Sequence, residues 1–307
     1  MILVAGLSPA WQQIMRFAKL RPGEVNRAAE VHWCASGKAL NAGMALASLG
    51  VPSHTISPAG GWSGQAIMAE FAERGTAATW TPTKATTRVC TTVLNDADGS
   101  STELVENAPE MTVAERDVFL GNYRDKIKSA TMAVLTGSLA KGAPATFYRT
   151  LLEVTPCPVV LDARGPELLA ALERKPRVVK PNREELALTV GRTLPDRASV
   201  LAAMRELIER GAQGVIVTQG KSAVWVMDGA DVWELTPPLA TPIVNPIGCG
   251  DCLAAALAWG LMRGDSLLDA VRLGMAAAAD NITQLLPARL SKERVESLVV
   301  ERAARVK

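Results

Sequence analysis

Five apolar runs without alternation constrain this chain most: Ile2–Leu7, Met132–Leu135, Val159–Leu161, Val178–Val179 and Gly214–Val217. A strand with one wet face alternates apolar and polar residues. An uninterrupted apolar run reads instead as a strand buried on both sides, as in a parallel sheet covered by helices. Helix signals fall between the runs. Thr112-x-x-Glu115 is a capping box opening a stretch that extends to Ser129. Asp196 to Arg210 is periodic and stops at Gly211, and Ala39 to Leu49 stops at Gly50. This alternation predicts an α/β fold with helices on both faces of a mainly parallel sheet.

Two segments break the rhythm. Arg16–Trp33 and Arg88–Val105 read as hairpin material, the second turning at Asn95-Asp96-Ala97-Asp98-Gly99. Neither fits a strand–helix–strand unit. Both are expected to form a small separate sheet, inserted at about 12–34 and 86–106 into a single domain covering 1–307.

The ends of the runs are polar or small: Thr136-Gly137-Ser138, Asp162-Ala163-Arg164, Lys180-Pro181-Asn182 and Thr218-Gln219-Gly220. Open α/β sheets bind ligands outside the carboxyl ends of their strands, so the four clusters are expected to meet at one crevice.

Charge narrows the partners. With 33 basic and 31 acidic side chains the net charge is +2, which argues against nucleic acid or an anionic membrane as the main partner. Five scattered cysteines are not a disulfide framework. The N-terminus lacks the basic start of a secretory signal, and the apolar stretch Cys252–Met262 is too short to span a bilayer. A cytoplasmic location is the expectation.

Several motifs fail on inspection. Gly220-Lys221-Ser222 resembles the end of a Walker A loop, but Val215 stands where the first glycine is needed and a strand, Ala223–Met227, follows. Cys249-x-x-Cys252 has metal-ligand spacing without a second pair. His32 and His54 have no hydrolase context and read as packed or surface polar residues.

The strongest local signal is Asn245-Pro246-Ile247-Gly248-Cys249-Gly250-Asp251-Cys252-Leu253. The residues after Asp251 are apolar on every side, so they predict a buried helix with a glycine loop at its N-terminus. Free N–H groups and the helix dipole attract anions there. Asp251 is placed either to accept a proton from an attacking hydroxyl or simply to stabilise the helix start.

This segment resembles the C-terminal signature of the ribokinase-like (PfkB) sugar kinase family, Asp-Thr-x-Gly-Ala-Gly-Asp-x-Phe. Three further stretches resemble family motifs in the same order: Ser36-Gly37-Lys38-Ala39-Leu40-Asn41, Lys180-Pro181-Asn182-Arg183-Glu184-Glu185 and Thr218-Gln219-Gly220. The resemblance implies a ribokinase-like three-layer α/β/α domain with a small β-sheet lid, often shared in a homodimer, and ATP and Mg²⁺ as cofactors. It implies Asp251 as catalytic base, with Gly248, Cys249 and Gly250 forming the anion hole. It places Gly37 and Asn41 at the sugar, Lys180, Asn182, Thr218 and Gly220 at the nucleotide, and Glu185 near Mg²⁺ through water. Lys38, Thr87-Arg88 and Gly137-Ser138-Leu139 are most like the 1-phosphofructokinase and tagatose-6-phosphate kinase branch, which implies a sugar phosphate held by Lys38, Arg88 and Ser138.

Four positions depart from that pattern. Gln12 stands where the branch has a sugar-binding Asp, Asn245-Pro246 replaces Asp-Thr, Cys249 replaces Ala, and Gly220-Lys221-Ser222-Ala223 lacks a second glycine. A thiol at a helix N-terminus is expected to have a lowered pKa. The expectation is an ATP-dependent sugar-phosphate kinase. A kinase of an unphosphorylated sugar or nucleoside, and a non-catalytic sensor on the same fold, stay open beside it.

Overall fold

The structure is a computed structural model that describes residues 1–299 and 303–305. The chain begins β1 (Ile2–Ala5), β2 (Ala10–Phe17), β3 (Glu30–Ser36), α1 (Lys38–Ser48), β4 (Ser53–Ala59), α2 (Gly61–Glu73) and β5 (Ala78–Pro82). It continues β6 (Val89–Asn95), β7 (Ser100–Val105), α3 (Val113–Ile127), β8 (Met132–Thr136), α4 (Phe147–Glu153), β9 (Val159–Asp162) and α5 (Gly165–Leu172). Then come β10 (Val178–Val179), α6 (Arg183–Val190), α7 (Arg197–Glu209), β11 (Gly214–Val217), β12 (Val224–Asp228) and β13 (Asp231–Leu235). Last are α8 (Cys249–Arg263), α9 (Leu267–Asn281), α10 (Lys292–Ser297) and β14 (Ala303–Arg305).

The apolar runs pair as parallel neighbours. The main sheet has the order β14-β13-β12-β11-β10-β9-β8-β1-β4-β5, parallel from β5 to β11 and antiparallel from β12 onward. Successive side chains of a strand point to opposite faces. Ile2 and Val4 therefore join one core with α1, α2, α8 and α9, while Leu3 and Ala5 join another with α3 to α7. The result is the expected three-layer α/β/α arrangement.

The capping signals act as read. Thr112 and Glu115 exchange hydrogen bonds at the start of α3, and Asp196 caps α7. A second sheet, β3-β2-β6-β7, stands apart from the first. Its first hairpin begins at Ala10, earlier than Arg16, because β2 buries Ala10, Gln12 and Ile14 on one face and a polar residue among them hides the alternation. β4 and β5 gave no apolar run, since they bury the hydroxyls of Thr55, Ser57 and Thr81.

Candidate functional site

The glycine loop opens α8 as expected. Gly248 is its N-cap in the left-handed region at φ 81°, and a Cβ there would meet Pro287 at 3.0 Å, so only glycine fits without displacement. The first amides of a helix have no intrahelical acceptor. Asp251 lies in this first turn with 7% exposure, and Asn41 Nδ2 donates to its Oδ2 at 2.8 Å. Burial raises the Asp251 carboxyl to about 7, a rise that Lys38 and the Asn41 bond restrain and Asp162 reinforces.

α1 brings Lys38 and Asn41 to this point. Gly37 precedes it at φ 97°, where a Cβ would lie 2.6 Å from the Ser8 carbonyl oxygen, so the turn after β1 can press against the helix start. Lys38 Nζ contacts Asp162 at 3.2 Å and Glu185 at 3.0 Å, and Lys180 Nζ contacts the other Asp162 oxygen at 3.3 Å. Burial alone would lower the Lys38 pKa, but Asp162, Glu185 and Asp251 lift it above its ordinary value. Burial alone would raise Asp162, yet Lys180 and Lys38 hold it below the usual carboxylate range. Lys180 also approaches the loop, 3.6 Å from where a Gly250 Cβ would be.

A cavity of about 130 Å³ opens beside this network. Its walls include Ser8, Lys38, Arg88, Ser138, Asp162 and Arg164. Arg88 is fixed by three carbonyl oxygens, those of Pro9 at 3.2 Å, Ser8 at 3.2 Å and Glu106 at 2.9 Å. Ser8 Oγ and Asn41 Oδ1 are buried without a hydrogen-bond partner. Such groups need a donor or acceptor from elsewhere.

On the other side, Asn182 and Glu185 form a capping box at the start of α6. Thr218 bridges to Asn182, Arg183 donates from its backbone to the Thr218 carbonyl at 3.0 Å, and Gly220 takes φ 52° with open space around it. No group of three or more His, Cys, Asp or Glu side chains is arranged to hold a metal ion among the described residues.

The expected residues thus gather at one end of the sheet, with one exception. Gln12 lies inside the small sheet instead, 3% exposed and donating to Thr92 Oγ1 at 2.8 Å. The expected low pKa of Cys249 is overturned: burial pushes the thiol up to about 11, the Asn281 hydrogen bond counters this only in part, and the neighbouring Asp251 adds to it. Desolvation outweighs the hydrogen bonds that favour the thiolate here.

Four site residues escaped the sequence reading of individual roles. Asp162 ends β9 and Arg164 follows it, in a polar cluster that signalled the crevice but no role. Ser8 sits beside Gly37. Asn281, at the end of α9, carried no local signal. Its amide donates to the Ile247 carbonyl at 2.8 Å and to Cys249 Sγ at 3.2 Å, and accepts from Ala288 N–H at 2.6 Å and Cys252 Sγ at 3.3 Å. One buried side chain therefore braces both flanks of Gly248.

A family model described as pfkB family carbohydrate kinase matches residues 8–293. Phosphofructokinase-2 from Escherichia coli, in its tetrameric inhibited form, is 24% identical, with 97% of each chain covered and a TM-score of 0.87. The same enzyme in complex with fructose-6-phosphate is 24% identical, with 97% of each chain covered and a TM-score of 0.83. A possible 1-phosphofructokinase from Thermotoga maritima is 20% identical over 100% of this chain and 99% of its own, with a TM-score of 0.92. These likenesses show a shared, ribokinase-like fold.

Proposed function

The chain belongs to the pfkB family of carbohydrate kinases, transferases acting on sugars, and we propose that it moves the γ-phosphoryl group of ATP to a hydroxyl of a small sugar phosphate. The observation that carries this reading is Asp251, a buried carboxylate raised to about 7 at the mouth of a glycine loop. A general base works best with a pKa near the working pH.

In the proposed reaction the acceptor hydroxyl lies against Asp251, and a neighbouring hydroxyl of the acceptor donates to the unpartnered Asn41 Oδ1. Asp251 takes the hydroxyl proton as the oxygen attacks the γ-phosphorus in line. The first amides of α8, that of Gly250 and that of Cys249 once released from its long 3.4 Å bond to the Pro246 carbonyl, would face the charge that develops on the phosphoryl oxygens. Lys180 and the Asn182–Thr218 side support the nucleotide phosphates. Arg88 and Ser138 receive the acceptor's phosphate, since a guanidinium fork matches a phosphate's oxygens. Gln12, engaged with Thr92, shapes the small sheet above the acceptor.

Mg²⁺ retains several waters and takes one or two carboxylates beside substrate phosphates, a mode that Glu185, on the cavity wall, would fit through water. When bound it would neutralise charge on the ATP phosphates. The small sheet would act as a lid. Its outer face carries Trp33, Gln13, Thr91 and Leu104 in one cross-strand row, and Trp33 and Leu104 are 41% and 59% exposed, which supports pairing of two copies through this sheet.

The test is ADP release from Mg·ATP against a panel of sugar phosphates and free sugars, with Asp251→Asn as the blank. Turnover of a phosphorylated sugar that vanishes in the blank supports the reading. Turnover confined to free sugars, or none despite ATP binding, refutes it.

A further inference from the structure

The cavity holds a charge that the proposed reaction leaves unused. Three cations line it: Lys38, Arg88 and Arg164. Lys38 is matched by Asp162 and Glu185. Arg88 hydrogen-bonds to carbonyl oxygens, which orient it without cancelling its charge, and although Glu103 feels that charge, the two form no ion pair among the described residues. Arg164 is exposed, and among the described residues it has neither a hydrogen-bond nor a carboxylate partner. Glu167 shares the cavity wall in the first turn of α5 but forms no ion pair with it.

The topology sets where these groups stand. In the main sheet β8 lies between β1 and β9. Ser138 follows β8, Arg164 follows β9, and Arg88 is bonded to the Ser8 and Pro9 carbonyls that follow β1. Neighbouring strands are ~4.8 Å apart. A tetrahedral anion over Ser138 would therefore have one guanidinium on each side, each within the reach of an arginine side chain.

We infer that Arg164 is a specificity-determining residue, the second arm of a two-arginine clamp that closes with Arg88 on the acceptor's phosphate. This rests on the sugar-phosphate kinase reading and sharpens it. An acceptor lacking an anionic group would leave two guanidinium charges facing each other across Ser138. A neutral sugar relieves none of that repulsion whereas a phosphate does, so the clamp favours phosphorylated acceptors over free sugars.

The experiment compares wild type, Arg164→Gln and Arg164→Lys. Steady-state kinetics are measured with Mg·ATP and the best phosphorylated acceptor, and binding of inorganic phosphate by calorimetry. Arg164→Gln is expected to raise the acceptor KM roughly ten- to hundredfold, as loss of a charge-assisted hydrogen bond implies. The KM for ATP should stay within about twofold and phosphate binding should weaken in parallel. Arg164→Lys should recover part of the loss, keeping the charge without the fork. An unchanged acceptor KM, or a rise confined to ATP, overturns the inference while leaving the kinase reading intact. Phosphate binding that depends on Arg164 in a protein with no kinase turnover would do the reverse. The side chain is exposed, so equal melting temperatures are expected and exclude a folding defect.

Discussion

Asn41 Nδ2 donates to Asp251 Oδ2 across 2.8 Å, joining the first turn of α1 to the first turn of α8 over 210 positions of chain. The bond orients the carboxylate and stabilises its charged form. It is not enough to offset burial, which keeps Asp251 near a pKa of about 7.

A base must be ionised to accept a proton. The kcat/KM of the kinase should rise with pH and level off above about 7, with the inflection set by Asp251. A pH–rate series on wild type and Asp251→Glu checks this. A flat profile from pH 5.5 to 8.5 would remove Asp251 from the role of base.

Asp251→Asn should lower turnover by about 10²–10⁴-fold with little effect on ATP binding. The same variant should be more stable than wild type. The folded state holds the proton up to a pKa of about 7, against an ordinary value of 3.8 for an unperturbed Asp. Wild type therefore loses stability as pH rises through that interval, by on the order of 4 kcal/mol once pH exceeds 7. The melting-temperature gap between variant and wild type should be largest near pH 8 and fade as pH falls toward 4. A variant that melts no higher than wild type at pH 8 contradicts the strained, buried carboxylate.

Asn281 acts on the loop, not on substrate. Asn281→Leu leaves the Ile247 carbonyl and the Ala288 N–H without their partner in a buried site, a loss of about 1–3 kcal/mol for each group. Turnover should fall at least tenfold while the KM values for ATP and acceptor change little, because the amides facing the reacting phosphoryl group shift. Loss of stability with an unchanged kcat would make Asn281 a packing residue only.

Cys249 should be slow to alkylate. With its thiol at about 11, the thiolate at pH 7.5 is roughly a hundredfold scarcer than for an unperturbed cysteine near 9. Peptide mass mapping after iodoacetamide treatment measures this. Complete labelling within minutes at pH 7.5 would show a reactive thiol instead.

The pattern of unalternating runs and capping boxes was enough to place the parallel core and several helices, because burial on both faces and the satisfaction of helix-end N–H groups are local demands on residue type. The small sheet is legible through its turns, but the start of its first strand is not, since Gln12 is polar and buried. β4 was hidden by Thr55 and Ser57, whose hydroxyls a burial-based reading counts as surface.

The candidate site divides the same way. Gly248 and Asp251 belong to a short motif whose chemistry is carried by neighbours in sequence, so the amino-acid order alone singled them out, while Gly37, Lys38 and Asn182 were singled out by their resemblance to family motifs. Only the tertiary structure decided that Asp162 holds two lysines, that Asn281 braces the loop, and that Arg164 faces Arg88's cavity without an ion-pair partner among the described residues. It also decided the ionisation of Asp251 and Cys249. Those properties depend on desolvation and on charges brought together from distant parts of the chain, and neither quantity exists until the layers pack.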